Sequence, residues 1–118
     1  MIRLTIVRNE ENRTIHSFEL SGHANAAEYG EDIVCAGVSA VAIGTVNAIE
    51  ALCEQPLTIQ SEDDGGYLYG EVPRSWTGRV AEDGQLLLEG MVVALKSIQQ
   101  SYGEFIHVNE ISGGADKC

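Results

Sequence analysis

The sequence predicts an α/β (α+β) fold: one domain over residues 1–118, in the order ββαββαβ, with one mixed or antiparallel sheet and two helices packed on it. Three observations carry that expectation. Five short segments have the composition and alternation of strands, and two long ones repeat apolar residues at threes and fours. The helical segments divide the strands into groups of two, two and one. At 118 residues the chain suits one domain and buries enough surface to hold a core without disulfides or metal.

In the first segment, "IRLTIV", Ile2, Leu4 and Ile6 share one face, as in a half-buried strand. "NEENR" is a polar turn, and "TIHSFEL" reads as the hairpin partner. The first helix is expected over "DIVCAGVSAVAIGTVNAIEALCE", with Val34, Val38, Val41, Thr45, Ile49 and Leu52 at helical spacing and Pro56 beyond its end. "LTIQS" and "YLYGEV" flank "EDDGG", whose Asp-Gly pair favours a tight hairpin turn. "PRSWTGRVAEDG" reads as a loop. The second helix is expected from Gln85 to about Tyr102, with Leu88, Met91, Val92, Leu95, Ile98 and Tyr102 on one face and Gly103 as its stop. "FIHVNEI" closes the sheet, and "SGGADKC" reads as a loose tail.

Eighteen acidic residues against seven basic ones leave a formal charge of −11. Nucleic acid, itself anionic, is therefore not expected as a direct partner, whereas a cationic one would be attracted. Ile33 to Leu52 approaches the length of a membrane span, but Gly37, Ser39, Gly44, Thr45, Asn47 and Glu50 make it too polar. It reads as a buried helix of a soluble protein, with no membrane role. The charged N-terminus reads as neither a signal peptide nor an anchor. Cysteines at 35, 53 and 118 form no paired framework, which fits a reducing cytoplasm. No clustered Cys/His pair offers a metal site, and no cofactor is expected. His16 and His107 fall within strands and read as surface or packing residues.

Chemistry concentrates in "SGHANAAEYGEDIVCAGVSAV". Asp32 is placed to cap the first helix, which would put Cys35 in its first turn, where free amide N–H groups and the helix dipole favour a thiolate. His23 ends the second strand, and the eleven intervening residues let the chain double back to bring its imidazole to the sulfur. Gly22 would allow close backbone approach beside His23. The "ANAAEYGED" segment, including Ala24, Tyr29 and Gly30, reads as a weakly held loop able to close on a substrate. Ser39 lies one turn beyond Cys35 on the same face. Its hydroxyl could serve the site or bond to a helix carbonyl. Asp32 could orient His23 or simply cap the helix. Cys53 lies eighteen residues from Cys35, about 27 Å along one helix, so the two cannot form a disulfide.

The combination "SGHA" with "EYGEDIVCAGVSAVAIGTVNAIE" resembles the ribosomal-processing cysteine protease family of bacteria, also called Prp or YsxB-like. The resemblance is strongest over Gly22 to Glu50 and extends loosely along the chain. It implies a His23–Cys35 catalytic dyad with Asp32 and Ser39 in support, and a homodimer. It also implies removal of a short N-terminal extension from the twenty-seventh protein of the large ribosomal subunit. Two other classes stay open on the residues alone: a non-enzymatic dimer that binds a ribosomal component, and a thiol redox sensor.

Overall fold

Alternation along the first strand sorts its side chains cleanly. In β1 (Ile2–Arg8), Ile2, Leu4 and Ile6 are buried, while Arg3, Thr5 and Val7 face the opposite side. The computed structural model describes residues 1–22, 29–62 and 66–113. The further elements are β2 (Ile15–Ser21), α1 (Tyr29–Cys53), β3 (Thr58–Ser61), β4 (Tyr67–Glu71), α2 (Gly78–Tyr102) and β5 (Ile106–Ser112). Their order is the ββαββαβ expected from the sequence.

The strands form one mixed sheet in the order β3-β4-β2-β1-β5. β1 and β2 pair antiparallel with Leu4 opposite Leu20 and Ile6 opposite Phe18, and the register shifts between Val7 and Arg8. β4 pairs antiparallel with both β2 and β3. β5 instead lies parallel to β1, Ile2 opposite Ile106, because α2 returns the chain to the same end of the sheet before β5 begins. The turn joining β3 to β4, including Asp63, Asp64 and Gly65, lies outside the described residues, as does the tail from 114 to 118. Ser112, expected in that tail, is the last residue of β5, and the Gly113 N–H donates to the Arg8 carbonyl.

Ile2, Leu4, Ile6, Phe18 and Ile106 form one apolar sheet face, against which Val34, Val38, Ala42 and Ile49 of α1 pack together with Leu88, Met91, Val92 and Leu95 of α2. Two details of the expected helix faces change. Leu52 is 73% exposed, and the neighbouring Cys53 turns inward in its place; Tyr102 also faces outward. The segment Ile33–Cys53 is long and apolar enough to cross a membrane, but only 22% of its most apolar window is buried. α1 is thus covered along one stripe and not all round.

Both helices begin earlier than expected. α2 starts at Gly78, so most of the segment read as a loop is helical. Glycines at 78 and 84 weaken the helical signal there, but Gly84 is packed under Trp76, where any Cβ would overlap the indole ring. The Trp76 indole N–H donates to the Gln55 carbonyl at 3.1 Å, which ties the end of α1 to the start of α2. Gly103 does follow the last residue of α2, but in a right-handed conformation (φ −60°), so it stops the helix without the left-handed cap glycine often supplies.

Two polar clamps hold α2 to the sheet. The Gln85 side chain accepts from the Ile15 N–H and donates to the Ile15 carbonyl, each at 2.8 Å. The Arg8 guanidinium grips both oxygens of Glu89, at 2.6 and 2.9 Å, and donates through Nε to Glu110 at 2.7 Å. Lys96 pairs with Glu110 as well. Glu89, first through its hydrogen bond, holds the Arg8 pKa above its ordinary value.

Candidate active site

β2 delivers its last residues to one end of the sheet, where Gly22 has φ +86°. That conformation favours glycine, and a Cβ here would overlap the carbonyl oxygen of Met1. The close approach anticipated at Gly22 is thus made by the N-terminal residue. The Gly22 N–H donates to the Gly66 carbonyl at 3.1 Å, joining the end of β2 to the residue that leads into β4. The next residue in the chain is His23. His23 and Ala24 lie outside the described residues.

Facing Gly22 across a cleft is the N-terminal half of α1. Cys35, Val38 and Ser39 lie at i, i+3 and i+4 on one helical face, and all three line a cavity of about 210 Å³. Its other walls are apolar side chains from the sheet's helix-covered face, Ile2, Leu20 and Leu68, together with Ile43 of α1. Ser61, Glu62, Gly66 and Tyr67 close it on the β3–β4 side. The structure therefore brings Cys35, Ser39 and Gly22 to one cleft. The Cys35 thiol is half-buried there, so it is open to a ligand yet flanked by apolar surface.

The start of α1 corrects the expected environment of the thiol. The helix begins at Tyr29, so Asp32 lies inside it and not at its cap. Tyr29 and Gly30, expected in a loop, belong to the first turn. Cys35 is the seventh helical residue, and α-helical bonding commits its N–H to the carbonyl four residues back. Its amide is therefore not free to hold an oxyanion, and Cys35 lies beyond the first turn, within which the helix dipole acts. The sequence signals missed the wall formed by Leu20 and Leu68, because their meeting depends on the β2–β4 register, in which they are direct partners.

Cys53 is a different kind of thiol. It is buried, and desolvation, with a further contribution from Asp83, pushes its pKa up. That keeps it protonated and slow to react. It sits at the far end of the same helix from Cys35, while Cys118 lies outside the described residues. Among the described residues no two cysteines can form a redox pair.

The sequence matches the family model described as "Cysteine protease Prp" over residues 1–107. The ribosomal processing cysteine protease Prp of Bacillus subtilis (strain 168) is 44% identical over 108 residues, covering 92% of this chain and 96% of that protein. The crystal structure of the ribosomal processing protease Prp from S. aureus in complex with a substrate peptide superposes with a TM-score of 0.82 at 34% identity, covering 93% of this chain and 99% of that one. A second structure of the S. aureus protease, with a covalently linked product peptide, gives a TM-score of 0.81 at 35% identity over the same shares. Sequence and fold agree over nearly the whole length: the chain belongs to the Prp family of cysteine proteases.

Proposed function

We propose that this protease removes the N-terminal extension of a large-subunit ribosomal protein, the twenty-seventh, using Cys35 as nucleophile and His23 as its base. The observation that carries the reading is the cleft itself: a half-buried thiol opposite Gly22, the residue joined directly to His23. His23 takes the thiol proton as Cys35 Sγ attacks the scissile carbonyl carbon, forming a tetrahedral oxyanion. Collapse breaks the C–N bond, and the imidazolium gives its proton to the leaving amine. Water, deprotonated by His23, then hydrolyses the thioester and frees the extension as a carboxylate with the thiol restored. Ser39, on the same cleft, and Asp32, one helical turn before Cys35, are the supporting residues in this scheme. Ala24, Tyr29 and Gly30 belong to the stretch that would meet the substrate.

A structure of the S. aureus protease carries a covalently linked product peptide, which supports a covalent route. Mass spectrometry of the candidate ribosomal protein, incubated with and without this chain, is the test. A product shortened by one discrete N-terminal peptide is expected, and an unchanged mass overturns the substrate assignment.

The reading includes a cytoplasmic homodimer acting without a cofactor. Support for a second copy comes from the outward side of the helices, where Ala40, Gly44 and Ala48 of α1 and Leu86, Gly90 and Ala94 of α2 line an open groove. Leu86 there is 71% exposed, and such a surface gains by being covered. Sedimentation equilibrium should read twice the chain's 12.7 kDa, and a mass of 12.7 kDa would contradict it.

A further inference from the structure

We propose that the helix-free face of the sheet beside the cleft is a docking surface for cationic substrate residues, with Lys or Arg side chains near the scissile bond seated over Tyr67 and Tyr69 and against Glu19 and Glu71. The proposal rests on the reading of Cys35 as a protease nucleophile and adds what selects the peptide.

Strand register builds the surface. Leu20 and Leu68 point into the cleft, so their neighbours Glu19, Tyr67 and Tyr69 point away from the helices. Glu19 stands opposite Tyr69, and Ser17 opposite Glu71. The Tyr67 hydroxyl donates to Glu19 Oε2 at 2.9 Å, and the Tyr69 hydroxyl donates to Glu71 Oε1 at 2.8 Å. These bonds fix two half-buried rings between carboxylates. Arg3 and His107 continue the row beyond Ser21 and bound the surface on its β1 side.

An aromatic ring rimmed by carboxylates has one natural ligand class. The ring face attracts a cation through its quadrupole, and the carboxylates add charge and hydrogen-bond acceptors. An apolar side chain would gain little beside Glu19, and an anion would be repelled. The surface is also continuous with the cleft, because Tyr67 belongs to both and Glu62 lines the cleft mouth beside it. A peptide that leaves the cleft and rounds the start of β4 reaches the rings on the opposite face of the sheet. Charge complementarity completes the case: the chain carries −11, whereas a segment of a protein that packs on ribosomal RNA is rich in Lys and Arg.

The test compares two fluorescent peptides that share one cleavable sequence, one carrying a Lys pair beside the scissile bond and the other carrying Gln there. Binding is read by fluorescence anisotropy on the Cys35→Ala protein, so the result does not depend on turnover. The Lys peptide should bind about three- to tenfold more tightly, the range expected of a partly exposed cation–π contact with a flanking ion pair. Glu19→Gln with Glu71→Gln, which retains hydrogen-bond acceptors for both tyrosines, should remove most of that preference and leave the Gln peptide unchanged. Tyr69→Leu should act in the same direction. Equal binding of the two peptides, or equal weakening of both by the variants, overturns the docking surface. Wild-type cleavage of the Gln peptide separately reports whether the protease reading stands.

Discussion

Replacing Gly22 with alanine should damage both stability and turnover, by amounts the local geometry sets. At φ +86° an alanine loses about 1–2 kcal/mol relative to glycine, because its Cβ crowds the backbone. The new methyl also overlaps the Met1 carbonyl oxygen, a backbone atom that no rotamer change can withdraw. Relief requires the first residue or the end of β2 to move, which threatens the Gly22 to Gly66 hydrogen bond, worth about 1 kcal/mol. The total is about 2–3 kcal/mol, short of the roughly 5–15 kcal/mol that holds a typical domain folded. The variant should therefore fold at 25 °C with the end of β2, which leads to His23, displaced. Gly78→Ala is the control: its φ is +58° with no atom near the added methyl, and it lies at the start of α2, outside the cleft. Trp76, the only tryptophan and buried, reports urea unfolding of both. Gly22→Ala should lose the larger stability and most of its kcat/KM, whereas Gly78→Ala should lose about 1–2 kcal/mol with kcat/KM intact. If Gly22→Ala is no less stable than Gly78→Ala and cleaves normally, the contact with Met1 does not constrain the site.

Acid should weaken the sheet–helix clamp. Arg8 holds the Glu89 carboxyl below its ordinary pKa of 4.5, and Lys96, followed by Arg8, does the same for Glu110. Depressed folded-state values mean the contribution is complete above about pH 4.5 and lost as pH falls through the lowered values, so urea midpoints should drop in that window. Glu89→Gln should flatten the drop, and an unchanged profile would contradict the assignment. Gln85→Ala leaves both backbone groups of Ile15 without their side-chain partner and should cost about 1–3 kcal/mol by urea unfolding. Iodoacetamide should modify Cys53 far more slowly than Cys35, since burial both shields it and raises its pKa; equal rates by peptide mapping would refute that.

The strands were legible because β1 buries Ile2, Leu4 and Ile6 in strict alternation, and the helix bodies because their apolar residues recur at threes and fours. The helix starts were not. Gly30 in α1, and Gly78 and Gly84 in α2, lower local helical propensity, and in α2 it is packing against Trp76 that makes glycine fit. The expected first-turn position of Cys35 failed for the same reason. Gly22 and Ser39 could be tied to Cys35 from chain position alone, and both do line its cleft. The walls of that cleft could not, since Ile2, Leu20 and Leu68 meet only through strand pairing between distant segments. Gln85 carried no signal at all, because a glutamine on a helix looks the same whether it is solvated or clamps a strand.

The central claim is that Cys35 performs the peptide cleavage. Cleavage of the ribosomal extension peptide, followed by mass spectrometry for the wild-type, Cys35→Ala and Cys53→Ala proteins at matched folded concentration, tests it most directly. Cys35→Ala should give no product and Cys53→Ala near-normal product. Continued cleavage by folded Cys35→Ala would contradict it.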